Sequence, residues 1–404
     1  MRTESVDVVV VGAGPAGLAA ARETAAAGLD TLVVERQRQV AEHVRTSGAT
    51  AVSTVARLGA PARLFHVFER FRLVSPGETA VVETGDALCA LDVRGFYRWL
   101  ADEAVAAGAR VAVATHASGV VVREGIVSGV ELSGPDGPAR VEAKVVVDAG
   151  GHRAQVSKRA GLHPGFARFG VGAEYELLAP AADQREAVLI VGERYAPAGY
   201  AWSFPWGGQR VRLGVGLHHR DVRDDPKERL ALLYREGDEL ALGVSGAEIA
   251  EYHFGLIPAD GLAPRLVGDG IVAVGDAAGQ ATLVVGEGIR ISLLAGELAA
   301  ETIAAALRAG RRDAAALAPY ERRFLRAFDR ELRFGRRLNH RLASRRGDER
   351  WDARVRLLRT LPADLVVDLL QSKLRPGGIA AWYLRRPWRI VRSATLARAA
   401  LGRS

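Results

Sequence analysis

The sequence predicts an α/β fold: a Rossmann-like nucleotide domain on a parallel sheet, an inserted antiparallel β-rich domain, and a helical C-terminal region. Three observations carry this prediction. The stretch Val8 to Gly17, VVVVGAGPAG, runs four valines into a glycine turn. Short alternating segments recur over residues 61–91 and 165–258. From Arg311 to Ser404 there are 24 Lys+Arg against 9 Asp+Glu, net +15, so residues 1–310 carry −7 within a whole-chain charge of +8.

The valine run reads as a strand buried on both faces, as in a parallel sheet. Gly12, Gly14 and Gly17 then form GxGxxG. Gly12 permits the tight turn, Gly14 lets a pyrophosphate approach the backbone, and Gly17 lets the next helix pack close to the sheet. Pro15 suits the first helical position, and Gly28 suits the helix stop. The strand DTLVVE ends in Glu35. Its carboxylate can accept from ribose hydroxyls and would repel a 2′-phosphate, which selects FAD or NAD over NADP. The polar turn Arg45-Thr46-Ser47-Gly48 suits a ligand loop, as it would suit an ordinary one. Residues 61–91 read as antiparallel strands. A helix and strand follow in LDVRGFYRWLADEAVAAGARVAVAT, with Arg94 and Arg98 either in reach of a pyrophosphate or on the surface. VVVREGIVSGVEL reads as a hairpin. KVVVDAGG (144–151) is a buried strand ending in Asp148 and glycines. It is not a second GxGxxG, so no separate NAD(P)H domain is expected.

Tyr200, Trp202, Phe204 and Trp206 alternate, so they share one face of a strand. That face is either the wall of an apolar pocket or packing against a core. In 269–307, Ile271–Val274 reads as a buried strand ended by Gly275-Asp276, and Gly286-Glu287-Gly288 opens a helix from about Ile289 to Leu307. Asp276 can accept from a ribityl hydroxyl. The helix N-terminus favours a nearby anion, such as a reduced flavin, by up to about 2 kcal/mol.

At 404 residues, 49% apolar and 25% charged, the chain predicts two or three soluble domains. The single cysteine, Cys89, excludes an internal disulfide and a Cys-rich metal site, and no metal site is expected. MRTES leaves no room for a signal peptide ahead of the first strand, and no apolar run reaches about 18 residues. A cytoplasmic location is expected. The basic C-terminal region implies an anionic partner or a solvated helical face.

On GAGPAG with Glu35, GDAAG with GEGI, and GYAWSFPWG, the chain resembles the geranylgeranyl reductase family within the p-hydroxybenzoate-hydroxylase-like FAD fold, over roughly residues 5–310. GYAWSFPWG is similar to that family's YxWxFP stretch. The resemblance implies that Gly12, Gly14 and Gly17 hold the FAD pyrophosphate and Glu35 the adenosine ribose. Ser47, Gly48 and Arg94 or Arg98 would line the cofactor, with Ala16, Arg36, Ala117 and Gly286 in the same set. Asp276 would bind the ribityl chain or phosphate, and Gly288 and Ile289 the isoalloxazine. Tyr200, Trp202 and Phe204 would border an isoprenoid tunnel. Two departures bear on the substrate: the family's loop cysteine is replaced by Arg-Thr-Ser-Gly, and its asparagine-proline before GEGI by Thr282-Leu283-Val284-Val285.

The implied activity is hydride transfer from reduced FAD to isolated C=C bonds of a prenyl lipid. Tyr200, Ser47 or a water held by Glu287 are candidate proton donors, and NAD(P)H or ferredoxin, through a redox partner protein, candidate electron donors. Rival readings are a monooxygenase on an aromatic or other natural product, a flavin used without net redox, and a flavin sensor. The basic region carries no recognisable nucleic-acid module, so no nucleic-acid partner is expected. LPADLVVDLLQSKL reads as an amphipathic helix, and WYLRRPWRIVR combines Trp382, Tyr383 and Trp388 with Arg385, Arg386, Arg389 and Arg392. These suit an anionic membrane surface or packing on the body. The expected division is an FAD domain over 1–60, 92–160 and 260–310, a substrate domain over 61–91 and 161–259, and a basic helical region over 311–404.

Overall fold

A computed structural model describes residues 2–218, 223–282, 285–344 and 347–371. β1 (Arg2–Val11) leads through the glycine turn to α1 (Pro15–Ala26) and β2 (Thr31–Val34). Val8, Val9 and Val10 are all fully buried, so both faces of β1 are covered. Pro15 opens α1 where its missing N–H is no loss, and Gly28 at φ +82° follows the helix end.

β3 (Ala49–Ala51) and α2 (Val52–Leu58) precede the hairpin of β4 (Phe65–Val74) and β5 (Thr79–Leu91). α3 (Val93–Ala106), capped by Asp92 accepting from the Gly95 N–H at 3.0 Å, returns the chain to β6 (Arg110–Ala112). β7 (His116–Arg123), β8 (Ile126–Gly134) and β9 (Gly137–Asp148) form a meander, followed by α4 (Gln155–Arg159). β10 (Phe169–Leu178), β11 (Glu186–Gly192), β12 (Ala196–Gly207) and β13 (Arg210–His218) come next, then α5 (Pro226–Glu236) and β14 (Glu248–Pro258). β15 (Val267–Gly268), β16 (Ile271–Ala273) and α6 (Ile289–Arg308) go back to the first layer. α7 (Ala314–Ser344), α8 (Asp348–Leu358) and α9 (Ala363–Leu370) follow.

The first sheet has a parallel centre in the order β16-β9-β1-β2-β6, with β15 antiparallel on β16 and the β7–β8 pair on β9. The second runs β14-β10-β13-β12-β11-β4-β5-β3. Its strands are antiparallel except at β11–β4, where the two separated chain segments meet in parallel. α6 approaches α1 closely at Gly296, where a Cβ would lie 2.3 Å from the Ala16 carbonyl oxygen.

The described part of the C-terminal region packs on the body. Leu317, Tyr320 and Phe324 of α7 are fully buried in the first core, and Leu365 and Val366 of α9 are buried too. The segment with Trp382, Tyr383 and Trp388 lies outside the described residues. Among the described residues, no helix is long and apolar enough to cross a membrane.

Candidate active site

Ligands of open parallel sheets bind beyond the carboxyl ends of the strands. Here those ends deliver Gly12 from β1, Glu35 from β2, Asp148 from β9 and Asp276 beyond β16 into one cavity of about 270 Å³. Gly12 sits at φ +105°, and a Cβ there would lie 2.4 Å from the Ala149 carbonyl oxygen. A Cβ on Gly17 would lie 2.1 Å from the Gly12 oxygen, so Gly17 is a packing joint and does not border the cavity. At Gly14 a Cβ would meet nothing within 4 Å, and the backbone there stands open to a ligand. Glu35 braces the turn by accepting from the Ala13 N–H at 2.8 Å and the Gln37 N–H at 2.9 Å. Asp148, fully buried, braces the β9 end: it accepts from the Gly150 N–H at 3.0 Å and from the Ser157 N–H and hydroxyl at 2.7 and 2.6 Å.

The electrostatics suit a polyanion at one end and hydroxyls at the other. Arg36, Arg45, His152 and Arg153 all border the cavity. Burial, then repulsion from Arg45 and Arg153, holds the Arg36 guanidinium below its usual range. Burial and the same cations push the His152 imidazole down to about 4. Such a cluster of mutually repelling cations is what a pyrophosphate relieves. Asp276 has its carboxyl pushed up to about 6 by desolvation. Gly288 and Ile289 place the N-terminus of α6 at the same cavity. The cations, the Glu35 carboxylate, Asp276 and this helix end together fit FAD.

Of the other residues singled out from sequence, Ala16, Ala117 and Gly286 border this cavity. Arg94 and Arg98 do not, and take other partners. Arg94 binds both carboxylate oxygens of Glu251 at 2.9 and 2.8 Å, and Arg98 donates to Gln39 Oε1 at 2.7 Å. Gly48 does not border it either; at φ +75°, a Cβ there would lie 2.6 Å from Val93. The Glu287 carboxylate is bonded to Arg290 at 3.1 Å. Arg45, His152 and Arg153 carry no periodic signal. Only the polar turn around Arg45 and the glycines before His152 hinted at them.

Two apolar cavities adjoin the first. One, of about 110 Å³, is bordered by Ser47, Tyr200, Trp202, Glu174, His253 and several glycines. The other, of about 70 Å³, is bordered by Ser47, Phe68, Phe71, Leu189, Tyr200, Phe204 and Leu370 of α9. Thr46 and Gly286 border all three. The aromatic face of β12 fills both roles the sequence allowed. Trp202 and Phe204 pack at 6.3 Å within a buried cluster, and the same face walls the apolar cavities. Trp202 lies over Gly214, where a Cβ would come within 2.2 Å of its ring. The Tyr200 hydroxyl donates to the Val285 carbonyl at 2.6 Å and ties the wall to the loop before α6.

Fold and site together define a Rossmann-type flavoprotein, and residues 5–334 match the family described as FAD binding domain. The chain is 32% identical over 336 residues to digeranylgeranylglycerophospholipid reductase 2 of Methanopyrus kandleri, covering 81% of this chain and 84% of that protein. To reductase 1 of the same organism it is 34% identical over 329 residues, covering 79% and 85%. A solved Thermoplasma acidophilum structure, described as geranylgeranyl bacteriochlorophyll reductase-like, has the same fold: TM-score 0.85, 24% identity, 98% of this chain and 100% of that one. A flavin-dependent brominase shares it at TM-score 0.72 and 18% identity, over 95% and 100% of the two chains. The chain belongs to the geranylgeranyl reductase family of FAD-dependent oxidoreductases.

Proposed function

We propose that this protein reduces isolated C=C bonds in the prenyl chains of a digeranylgeranylglycerophospholipid-type lipid. The carrying observation is the meeting of the FAD cavity with two apolar cavities at Thr46 and Gly286. The curated relatives named above support the substrate class. Reduced FAD, when bound, supplies the hydride.

The chain's own residues do the rest. Gly12, Gly14 and the cations Arg36, Arg45 and Arg153 hold the pyrophosphate. Glu35 meets the adenosine ribose, Asp276 the ribityl hydroxyls, and the N–H groups at Gly288 and Ile289 the flavin ring. Trp202, Phe204 and Phe68 keep water from the alkene, which no carbonyl activates. Tyr200 holds the loop at Val285, and Ser47 stands on the wall shared by both apolar cavities. Electrons come from NAD(P)H or ferredoxin, and the tail beyond residue 371 brings the protein to an anionic membrane surface where such lipids reside.

The test is anaerobic. The bound FAD is reduced chemically, a digeranylgeranyl lipid is added, and the lipid mass is measured. A gain of two hydrogens per bond is expected; no gain with any of several prenyl lipids would overturn the reading.

A further inference from the structure

We propose that Glu174 and His253 form the acid that protonates the alkene in the reduction proposed above, with Glu251 as their link to solvent. The inference rests on that reading. It begins from an oddity of the second sheet: Glu174 and His253 are paired across β10 and β14, are 4% and 5% exposed, and border the cavity walled by Tyr200 and Trp202.

Their contacts form a continuous chain. The Trp202 indole N–H donates to Glu174 Oε2 at 2.8 Å. Glu174 Oε1 lies 3.0 Å from His253 Nδ1, and His253 Nε2 lies 3.1 Å from Glu251 Oε2. Glu251 is held by both Arg94 nitrogens, and its side chain is 38% exposed. A carboxylate at each ring nitrogen favours the imidazole with both nitrogens protonated, which is an acid. Burying such a pair carries a desolvation cost that a well-packed apolar pair would avoid, so packing alone does not account for it.

Other charged and titratable groups face the pair. Arg212 of β13 lies 3.9 Å from Glu174 Oε1 and is shared with Glu176 of β10 at 3.6 Å. Arg45, Tyr200 of β12 and His218 of β13 border the same cavity. Against burial and Arg212, the two carboxylates hold the His253 imidazole above its ordinary value. The Tyr200 hydroxyl donates to the Val285 carbonyl at 2.6 Å, and burial pushes that phenol up, so it holds its proton more tightly than the imidazole does.

The step balances. The hydride of the reduced flavin goes to one alkene carbon. At the other, a C–H bond forms as an O–H bond of Glu174 breaks, that proton having passed from His253 Nδ1, 3.0 Å away. The imidazole regains a proton from solvent at Nε2, beside the partly exposed Glu251 carboxylate, which Arg94 holds down to about 2. An acid must be protonated to act, so reduction fades as pH rises through the His253 value.

The experiment uses the FAD-loaded, chemically reduced protein and its E174Q and H253Q variants with a digeranylgeranyl lipid. Both variants are expected to reduce the lipid about 100-fold more slowly, without the basic limb of the pH profile. Their lipid affinity, read by tryptophan fluorescence, should stay within about twofold. Histidine NMR titration of the flavin-free wild-type protein should place His253 above about 6.5. Wild-type rates and pH profile in both variants overturn the relay and leave the reduction standing. A His253 titrating at or below about 6.5 also overturns it and needs no variant to fold. A wild-type protein that reduces nothing overturns both readings.

Discussion

Asp276 follows the last strand of the parallel sheet, facing a ligand cavity with a carboxyl pushed up to about 6 by desolvation. The unfolded carboxyl titrates near 3.8. Between the two values the folded, flavin-free protein holds the extra proton, so stability falls as pH rises across that window, by at most about 3 kcal/mol. The Asp276→Asn variant should lose this slope, as urea unfolding of the flavin-free protein between about pH 4 and pH 7 would show. It should also bind FAD more weakly at neutral pH, because an amide accepts from ribityl hydroxyls less strongly than a carboxylate. A slope unchanged in the variant would assign the pH dependence to other groups. The glycines and Asp276 were legible because a strand, a turn and a helix start are local. A Cβ at Gly17 collides with the Gly12 oxygen inside one βα unit, although the one at Gly12 meets Ala149 beyond β9. Arg45, His152 and Arg153 were not, since their loops meet only once the sheet has formed.

At the scale of elements, the loop after β16 is held from outside by α7. The Gly275 N–H donates to Gln280 Oε1 at 2.7 Å, Gln280 Nε2 donates to the Tyr320 hydroxyl at 2.7 Å, and that hydroxyl donates to the Ala273 carbonyl at 3.0 Å. Gln280 and Tyr320 are fully buried. Tyr320→Phe therefore leaves a buried amide donor and a buried carbonyl unpaired, and should cost about 1–3 kcal/mol in thermal or urea unfolding. FAD retention should fall with it, since Gly275 and Asp276 belong to that loop. Retention and stability both at wild-type level would show that water replaces the hydroxyl. In sequence, α7 read as a candidate solvated face, because it carries eight arginines. Burial of Leu317, Tyr320 and Phe324 is a tertiary choice. The same holds for β10, whose Glu174 and Glu176 look like the outward positions of an alternating strand. Only the packing of Trp202 and Arg212 against that face buries them.

For the whole molecule, the open question is how a protein with no membrane-crossing helix among its described residues would meet a lipid substrate. Charge supplies the answer proposed here: residues 311–404 carry +15 on a body of −7. Residues 372–404 alone hold eight basic and no acidic side chains. Near an anionic surface each contributes about 1 kcal/mol, so even half of that sum, about 4 kcal/mol, is roughly a thousandfold in partitioning. Ending the chain at Gln371 spares Leu370 and Gln371, which border the smaller apolar cavity, and every residue of the FAD cavity. The shortened protein should therefore stay yellow yet stop floating with vesicles that contain phosphatidylserine. The full chain should float with them, not with neutral vesicles, and should detach in about 1 M salt, where the screening length is about 3 Å. Equal flotation of both forms would move the contact onto the body. Flotation that survives high salt would make Trp382, Tyr383 and Trp388, rather than the arginines, the source of affinity. A shortened protein that keeps its flavin and reduces detergent-dispersed lipid, but not lipid in vesicles, would separate delivery from chemistry.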